Sequence, residues 1–177
     1  MWGTSFRQRL RLAPLALAVA AADRLSARAP APRADPARPW RPGITALVPE
    51  RDAPEMLAGT LAALAAALDR VDEPRQVVVV ANGAPRSTYA GVAARFPDVE
   101  WVHTDAPLPF AAAIERGLAL ARHEGTYLLN NDMTLEPDAL ALLVRWRAPD
   151  VFALASQILQ VSADGRREET GFVDWYA

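Results

Sequence analysis

Thr126-Tyr-Leu-Leu-Asn-Asn-Asp-Met-Thr134 decides how this chain is read. A short apolar run, Tyr127 to Leu129, stops abruptly in Asn130, Asn131 and Asp132, and Glu136-Pro137-Asp138 then opens a helical pattern. A buried strand ending this way delivers two amides and a carboxylate to the rim of a sheet. In open α/β sheets that rim, outside the carboxyl ends of the strands, is where ligands bind. Asp132 is a hard oxygen donor suited to Mg²⁺ or Mn²⁺, metals commonly held by one or two carboxylates plus substrate phosphates. The same residues also suit a plain turn, because Asn and Asp favour turns and helix caps for local reasons.

Upstream of that stretch the pattern repeats. Ile44 to Val48 is a short apolar run closed by Pro49, with Glu50, Arg51 and Asp52 in the loop at its carboxyl end. Leu57, Leu61, Leu64 and Leu68 follow at helical spacing and predict one face packed on the sheet. Val77 to Val80 is a continuous β-branched run, expected of a strand covered on both faces, and Gly83 in Ala81-Asn82-Gly83 suits the positive φ of a tight turn. Ser87 or Thr88 is expected to cap a short helix to Arg95, and Val99 to Val102 reads as a weaker third strand.

Phe110, Ile114, Gly117, Leu118 and Ala121 share one helical face, and Gly125 reads as the stop just past that helix. After the quoted strand, Pro137 suits a first helical turn, with Leu140, Leu143 and Trp146 facing inward. Val151 to Leu159 reads as a further strand, and Asp164-Gly165 as the turn of a hairpin. Strands alternating with helices imply a mainly parallel sheet with right-handed crossovers.

The totals agree with one globular domain. At 177 residues the chain can bury a substantial core, and a net charge of −2 argues against nucleic acid as a partner. Without Cys there is no disulfide, thiolate metal site or Cys nucleophile, and with only His103 and His123 a multi-histidine metal site is unexpected. His103 reads as a satisfied surface or core histidine ahead of a ligand contact, and His123 as a residue near a helix C-terminus. Trp40, Trp101, Trp146 and Trp175 read as packing residues. Residues 1–40 differ from the rest: Arg7, Arg9 and Arg11 precede the apolar run Leu12 to Ala22, which is too short to span a bilayer. That segment has the outline of a leader, or of an amphipathic helix allowing peripheral membrane association through residues 5–25. Ala29 to Pro39 reads as a Pro-rich linker, leaving 41–177 as the folded unit.

Four ordered segments resemble the family 2 glycosyltransferases of the GT-A fold: Thr45-Ala-Leu-Val-Pro49, Val77-Val-Val-Val-Ala-Asn-Gly83, Phe110-Ala-Ala-Ala-Ile-Glu-Arg-Gly-Leu118, and Tyr127-Leu-Leu-Asn-Asn-Asp132 with Glu136-Pro137-Asp138. The resemblance covers roughly Ile44 to Trp175, and Arg166-Arg-Glu-Glu-Thr-Gly171 also resembles a stretch in some bacterial members. It implies an α/β, Rossmann-like, mainly parallel sheet flanked by helices. It implies an inverting transfer of a sugar from a nucleotide-sugar donor to a glycan or lipid-linked acceptor. It also implies Mg²⁺ or Mn²⁺ as cofactor and a cytoplasmic setting, at the inner face of the membrane if residues 5–25 bind there.

On that resemblance Asp132 holds the metal, and Asn130 and Asn131 contact ribose or diphosphate. Pro49, Glu50 and Asp52 are nucleoside contacts, although Glu50 and Asp52 equally suit a solvated loop. Asn82 is a further donor contact, partly replacing an Asp that the family has where this chain has Ala81. Pro107 and Pro109 stand where the family has Asn and Gly, and Glu115 where it has Asn. The general base normally lies in a later acidic motif. Glu168, Glu169 and Asp174 read as surface groups, so the chain is expected to be a donor-binding half, incomplete at its C-terminus. The rivals are a catalytically inactive nucleotide-binding remnant and, ranked low for want of a basic phosphate loop after the first strand, a sugar nucleotidyltransferase.

Overall fold

The computed structural model describes Leu17, Ala21 and residues 41–148, 151–161, 165 and 167–170. The chain divides into two units, Met1–Pro39 and Trp40–Ala177. The expectations placed on the leader, the linker, Trp40, Asp174, Trp175 and the side chains of Glu168 and Glu169 lie outside the described residues. Among those described, no helix is long and apolar enough to cross a membrane.

In the second unit β1 (Arg41–Glu50), β2 (Arg75–Asn82), β3 (Val99–Thr104) and β4 (His123–Leu128) form one all-parallel sheet in the order β3-β2-β1-β4. The helices α1 (Pro54–Leu68), α2 (Ala90–Arg95), α3 (Phe110–Leu118) and α4 (Ala139–Arg145) connect and flank it, with a 3-10 turn, Arg86–Tyr89, leading into α2. On one face Leu57, Leu61 and Leu64 of α1 and Leu140 of α4 pack on Ala46, Val48 and Val79. On the other, Ala113 of α3 meets Leu47, Val78 and Val80. Covered on both sides, β1 and β2 are buried over most of their length, with apolar runs at their centres.

α3 departs from the expected face. Phe110 and Leu118 are exposed, and Ala113 and Gly117 lie against the sheet with Ile114 partly buried. The reason is proximity: a Cβ on Gly117 would stand 2.2 Å from Leu47 Cδ1 and 2.9 Å from Val80 Cγ2. Only small residues fit under a helix packed so close, so the bulky ones are turned aside.

Other expectations are also corrected. β4 is an edge strand among the described residues, not a buried one: Leu128 is exposed, Tyr127 half-buried, and only Leu129 beyond it is buried. Gly125 belongs to β4 and not to a helix stop; it pairs with Ile44, where a Cβ would meet the Gly43 carbonyl at 3.1 Å. Trp146 is 73% exposed. It lies six residues from buried Leu140, far out of phase on a helix, whereas Val144 at the four-residue spacing turns inward. No Ser87 or Thr88 side chain caps a helix; Pro85 and Tyr89 hold the cap positions. Val151–Leu159 does not extend the main sheet. Residues 151–157 are irregular, and Ile158–Val161 (β5) pairs antiparallel with Arg167–Thr170 (β6) in a separate hairpin, with Gly165 at positive φ in its turn.

His123 opens β4 and is buried, its Nδ1 3.3 Å from Thr45 Oγ1, so it belongs to the polar foot of the sheet and not to a helix end. There Gln76 donates to Glu100 and Arg122 pairs with Glu100 through both terminal nitrogens. That hydrogen bonding by Arg122 holds the Glu100 carboxyl below its ordinary range.

Candidate functional site

The carboxyl ends of the parallel strands form the rim. In-register pairing aligns Glu50 with Ala81 and Ala81 with His103, so these residues share one face across three strands. Asn131, just past β4, joins the row by donating its Nδ2 to Glu50 Oε2. The row therefore reads Asn131, Glu50, Ala81, His103.

Glu50 is the centre of this row, and it is only 2% exposed. Its Oε1 accepts from Ala53 N–H at 2.5 Å, at the entry to α1, and from the Tyr89 hydroxyl at 3.3 Å. Its Oε2 takes the Asn131 amide. One carboxylate thus ties together the segments that follow β1, β2 and β4. The solvated-loop reading of Glu50 does not hold: the side chain is buried and both of its oxygens accept hydrogen bonds from within the protein.

Tyr89 is the residue sequence reasoning missed. It is 1% exposed, its hydroxyl accepts from Asp52 N–H at 2.9 Å, and its ring packs 5.4 Å from Trp101 and 6.3 Å from His103. Burial above all pushes its hydroxyl up to about 12, with a smaller contribution from the Glu50 charge. The only signal in the sequence was an aromatic residue just after Ser87-Thr88, at the start of a short helix. Asp52 is exposed and takes φ 57°, a left-handed conformation that Asp tolerates better than most residues. Pro49 is half-buried within β1.

Asn82 is used within the fold. Its Oδ1 accepts from Leu108 N–H at 2.7 Å and from the Thr104 hydroxyl at 3.2 Å, while its Nδ2 donates to the Leu108 carbonyl at 2.9 Å. The amide holds the segment between β3 and α3 on the end of β2, where Gly83 turns at φ 82° against Pro107. An Ala at position 81 is fully buried beside it.

The Asn130-Asn131-Asp132 loop is anchored on both sides of its tip. Leu129 N–H donates to the Leu47 carbonyl at 3.0 Å, the Thr60 hydroxyl donates to the Asn131 carbonyl at 2.6 Å, and Leu129 and Leu135 are buried. Asn130 and Asp132 are left exposed at the rim. Asp132 lines neither the groove of about 620 Å³ beside β4, walled by Ile44, Tyr127, Leu140 and Phe152, nor the hollow around Arg75 and Glu100 at the other end of the sheet.

Among the described residues no three His, Asp or Glu are grouped to hold a metal by themselves. A metal that draws its other ligands from substrate phosphates and water needs only one or two carboxylates, and the exposed Asp132 fits that limited role.

No protein-family model matches the chain, and no curated protein matches it. Solved structures do resemble it, two of them as follows. TarS of S. aureus aligns at 16% identity and a TM-score of 0.49, over 58% of this chain and 19% of that one. The mannosyltransferase PcManGT from Pyrobaculum calidifontis, solved with GDP-Man and Mn²⁺, aligns at 24% identity and a TM-score of 0.53, over 81% of this chain and 43% of that one. The fold is that of a GT-A-like glycosyltransferase. The chain spans less than half the length of either structure. Its parallel sheet and the rim at the ends of β1, β2 and β4 are the parts that carry the candidate site.

Proposed function

We propose that the chain is the nucleotide-sugar-binding part of an inverting, family 2-like glycosyltransferase acting on a glycan or lipid-linked acceptor in the cytoplasm, at the membrane's inner face where the acceptor is lipid-linked. The observation that supports this most is the Glu50–Asn131 contact. Through it the loop bearing Asp132 is held against the β1 loop, at the sheet end where α/β folds bind ligands.

In this reading the residues divide into two groups. Asp132 and Asn130 face the donor diphosphate, and Asp52 and the backbone around Pro49 face the nucleoside. Glu50 and Asn131 hold those groups in place from behind, and Asn82 fastens the segment before α3 to the same rim. Mg²⁺ or Mn²⁺ at Asp132 would offset the charge that gathers on the leaving diphosphate as the acceptor oxygen attacks the anomeric carbon. Transfer also needs a carboxylate base for the acceptor proton, and neither Asp52 nor Asp132 is assigned that role.

Isothermal titration with nucleoside diphosphates, with and without Mn²⁺, tests the site. Wild type is expected to bind more tightly with Mn²⁺, and Asp132→Ala to lose that increment. Equal Mn²⁺-dependent binding by both would remove Asp132 from the metal role. A second reading is a nucleotide-binding module without catalysis. It is favoured by Ala81, which is buried and has no polar group, and by Asn82, whose amide is committed to the fold. Hydrolysis or transfer of a nucleotide sugar by the purified chain would overturn this second reading.

A further inference from the structure

The imidazole at the far end of the rim row has no assigned role. His103 stands in register with Ala81 on the carboxyl half of β3, and its ring stacks on Trp101 at 5.9 Å and 15°. The Tyr89 ring lies 6.3 Å from it, tilted by 53°. The ring is only half-buried, yet its Nδ1 is sealed from solvent with no hydrogen-bond partner. A neutral imidazole carries one N–H and one bare nitrogen. A sealed N–H without an acceptor is rarer than a sealed unused lone pair. The proton therefore belongs on Nε2, the nitrogen left to meet solvent or a ligand. Burial, and then the charge of Arg86, lowers the affinity of the ring for a second proton, which keeps it neutral.

Position selects the ligand. Three strand spacings separate the Asn131 end of the row from His103, about 14 Å at the usual interstrand distance. A nucleoside diphosphate has its phosphates and its base at opposite ends of a comparable span. With the diphosphate at Asp132, the group that reaches β3 is the base. Nucleobase edges carry carbonyl and ring-nitrogen acceptors suited to a single fixed N–H donor. Between the two ends, Ala81 offers no polar group and Glu50 is fully engaged within the protein.

We infer that His103 is a specificity-determining residue, its Nε2–H donating to an acceptor on the nucleobase of the donor nucleotide. This rests on the nucleotide-sugar reading above, and the test separates the two. The full chain is titrated, in Mn²⁺, with the 5′-diphosphates of adenosine, guanosine, cytidine, uridine and thymidine, and with inorganic pyrophosphate as a base-free probe. Wild type is expected to prefer one base. His103→Ala should lower affinity for that nucleotide about tenfold, the effect of one hydrogen bond, and flatten the preference, with pyrophosphate unchanged. His103→Gln, whose amide can place an N–H near the Nε2 position, should restore most of it.

Unchanged base preference in His103→Ala overturns the inference and leaves the nucleotide reading standing. A parallel loss for pyrophosphate overturns it too, since the residue would then merely support the rim. If wild type binds none of the five nucleotides, the underlying reading fails as well.

Discussion

Removing the Glu50 carboxylate should unfasten the rim. In Glu50→Ala the donors on Ala53 N, Tyr89 Oη and Asn131 Nδ2 lose their acceptor together. A hydrogen bond to a charged group contributes about 1.5–3 kcal/mol. The Ala53 and Asn131 contacts are close and the Tyr89 contact, at 3.3 Å, is long, so the gross loss is about 3–6 kcal/mol. Relief from burying a charge returns part of that, leaving a net destabilisation of about 3 kcal/mol. Glu50→Gln keeps a carbonyl for Ala53 and Tyr89, and its new amide can pair with Asn131 if that side chain flips, so its cost should be about 1 kcal/mol. Urea denaturation followed by tryptophan fluorescence gives both values. A double-mutant cycle with Asn131→Ala should show coupling of about 1 kcal/mol. Glu50→Ala within about 0.5 kcal/mol of wild type, or a cycle without coupling, would refute the bridging role.

Two further outcomes follow from the fold. Gly117→Ala should cost about 1–3 kcal/mol by overpacking, because Leu47 and Val80 are fully buried and cannot move aside freely; a neutral result in the same denaturation assay would show that α3 stands further from the sheet. Tyr89 predicts an alkaline weakness: below pH 10 both states keep the phenol proton, whereas between 10 and about 12 the unfolded chain has lost it and the folded chain retains it, so stability falls as pH rises through that window. Tyr89→Phe should flatten that decline in pH-dependent unfolding, and an unchanged slope would contradict the buried hydroxyl.

The apolar framework could be read directly. Val77–Val80 lies within β2, and Leu57, Leu61, Leu64 and Leu68 are buried on one face of α1. Those patterns are local, because the period of burial is written in consecutive residues. The rim was legible for the same reason: parallel strands all point their carboxyl ends one way, so polar residues at the end of an apolar run belong on one side of the sheet. The hairpin turn at Gly165 was legible from its own dipeptide.

The sequence by itself determined where polar groups would gather, and the tertiary structure alone decided which of them are taken up in holding the fold together. Glu50 and Asn131 are 81 residues apart, and Glu50 and Tyr89 are 39 apart. Nothing local to Pro49-Glu50-Arg51 marks that carboxylate as buried, since a charge goes inside only where distant donors converge on it. Asn82 is claimed by Leu108 in the same way. Burial of an apolar face follows from its own periodicity, but the fate of a polar side chain depends on partners that folding brings from elsewhere in the chain.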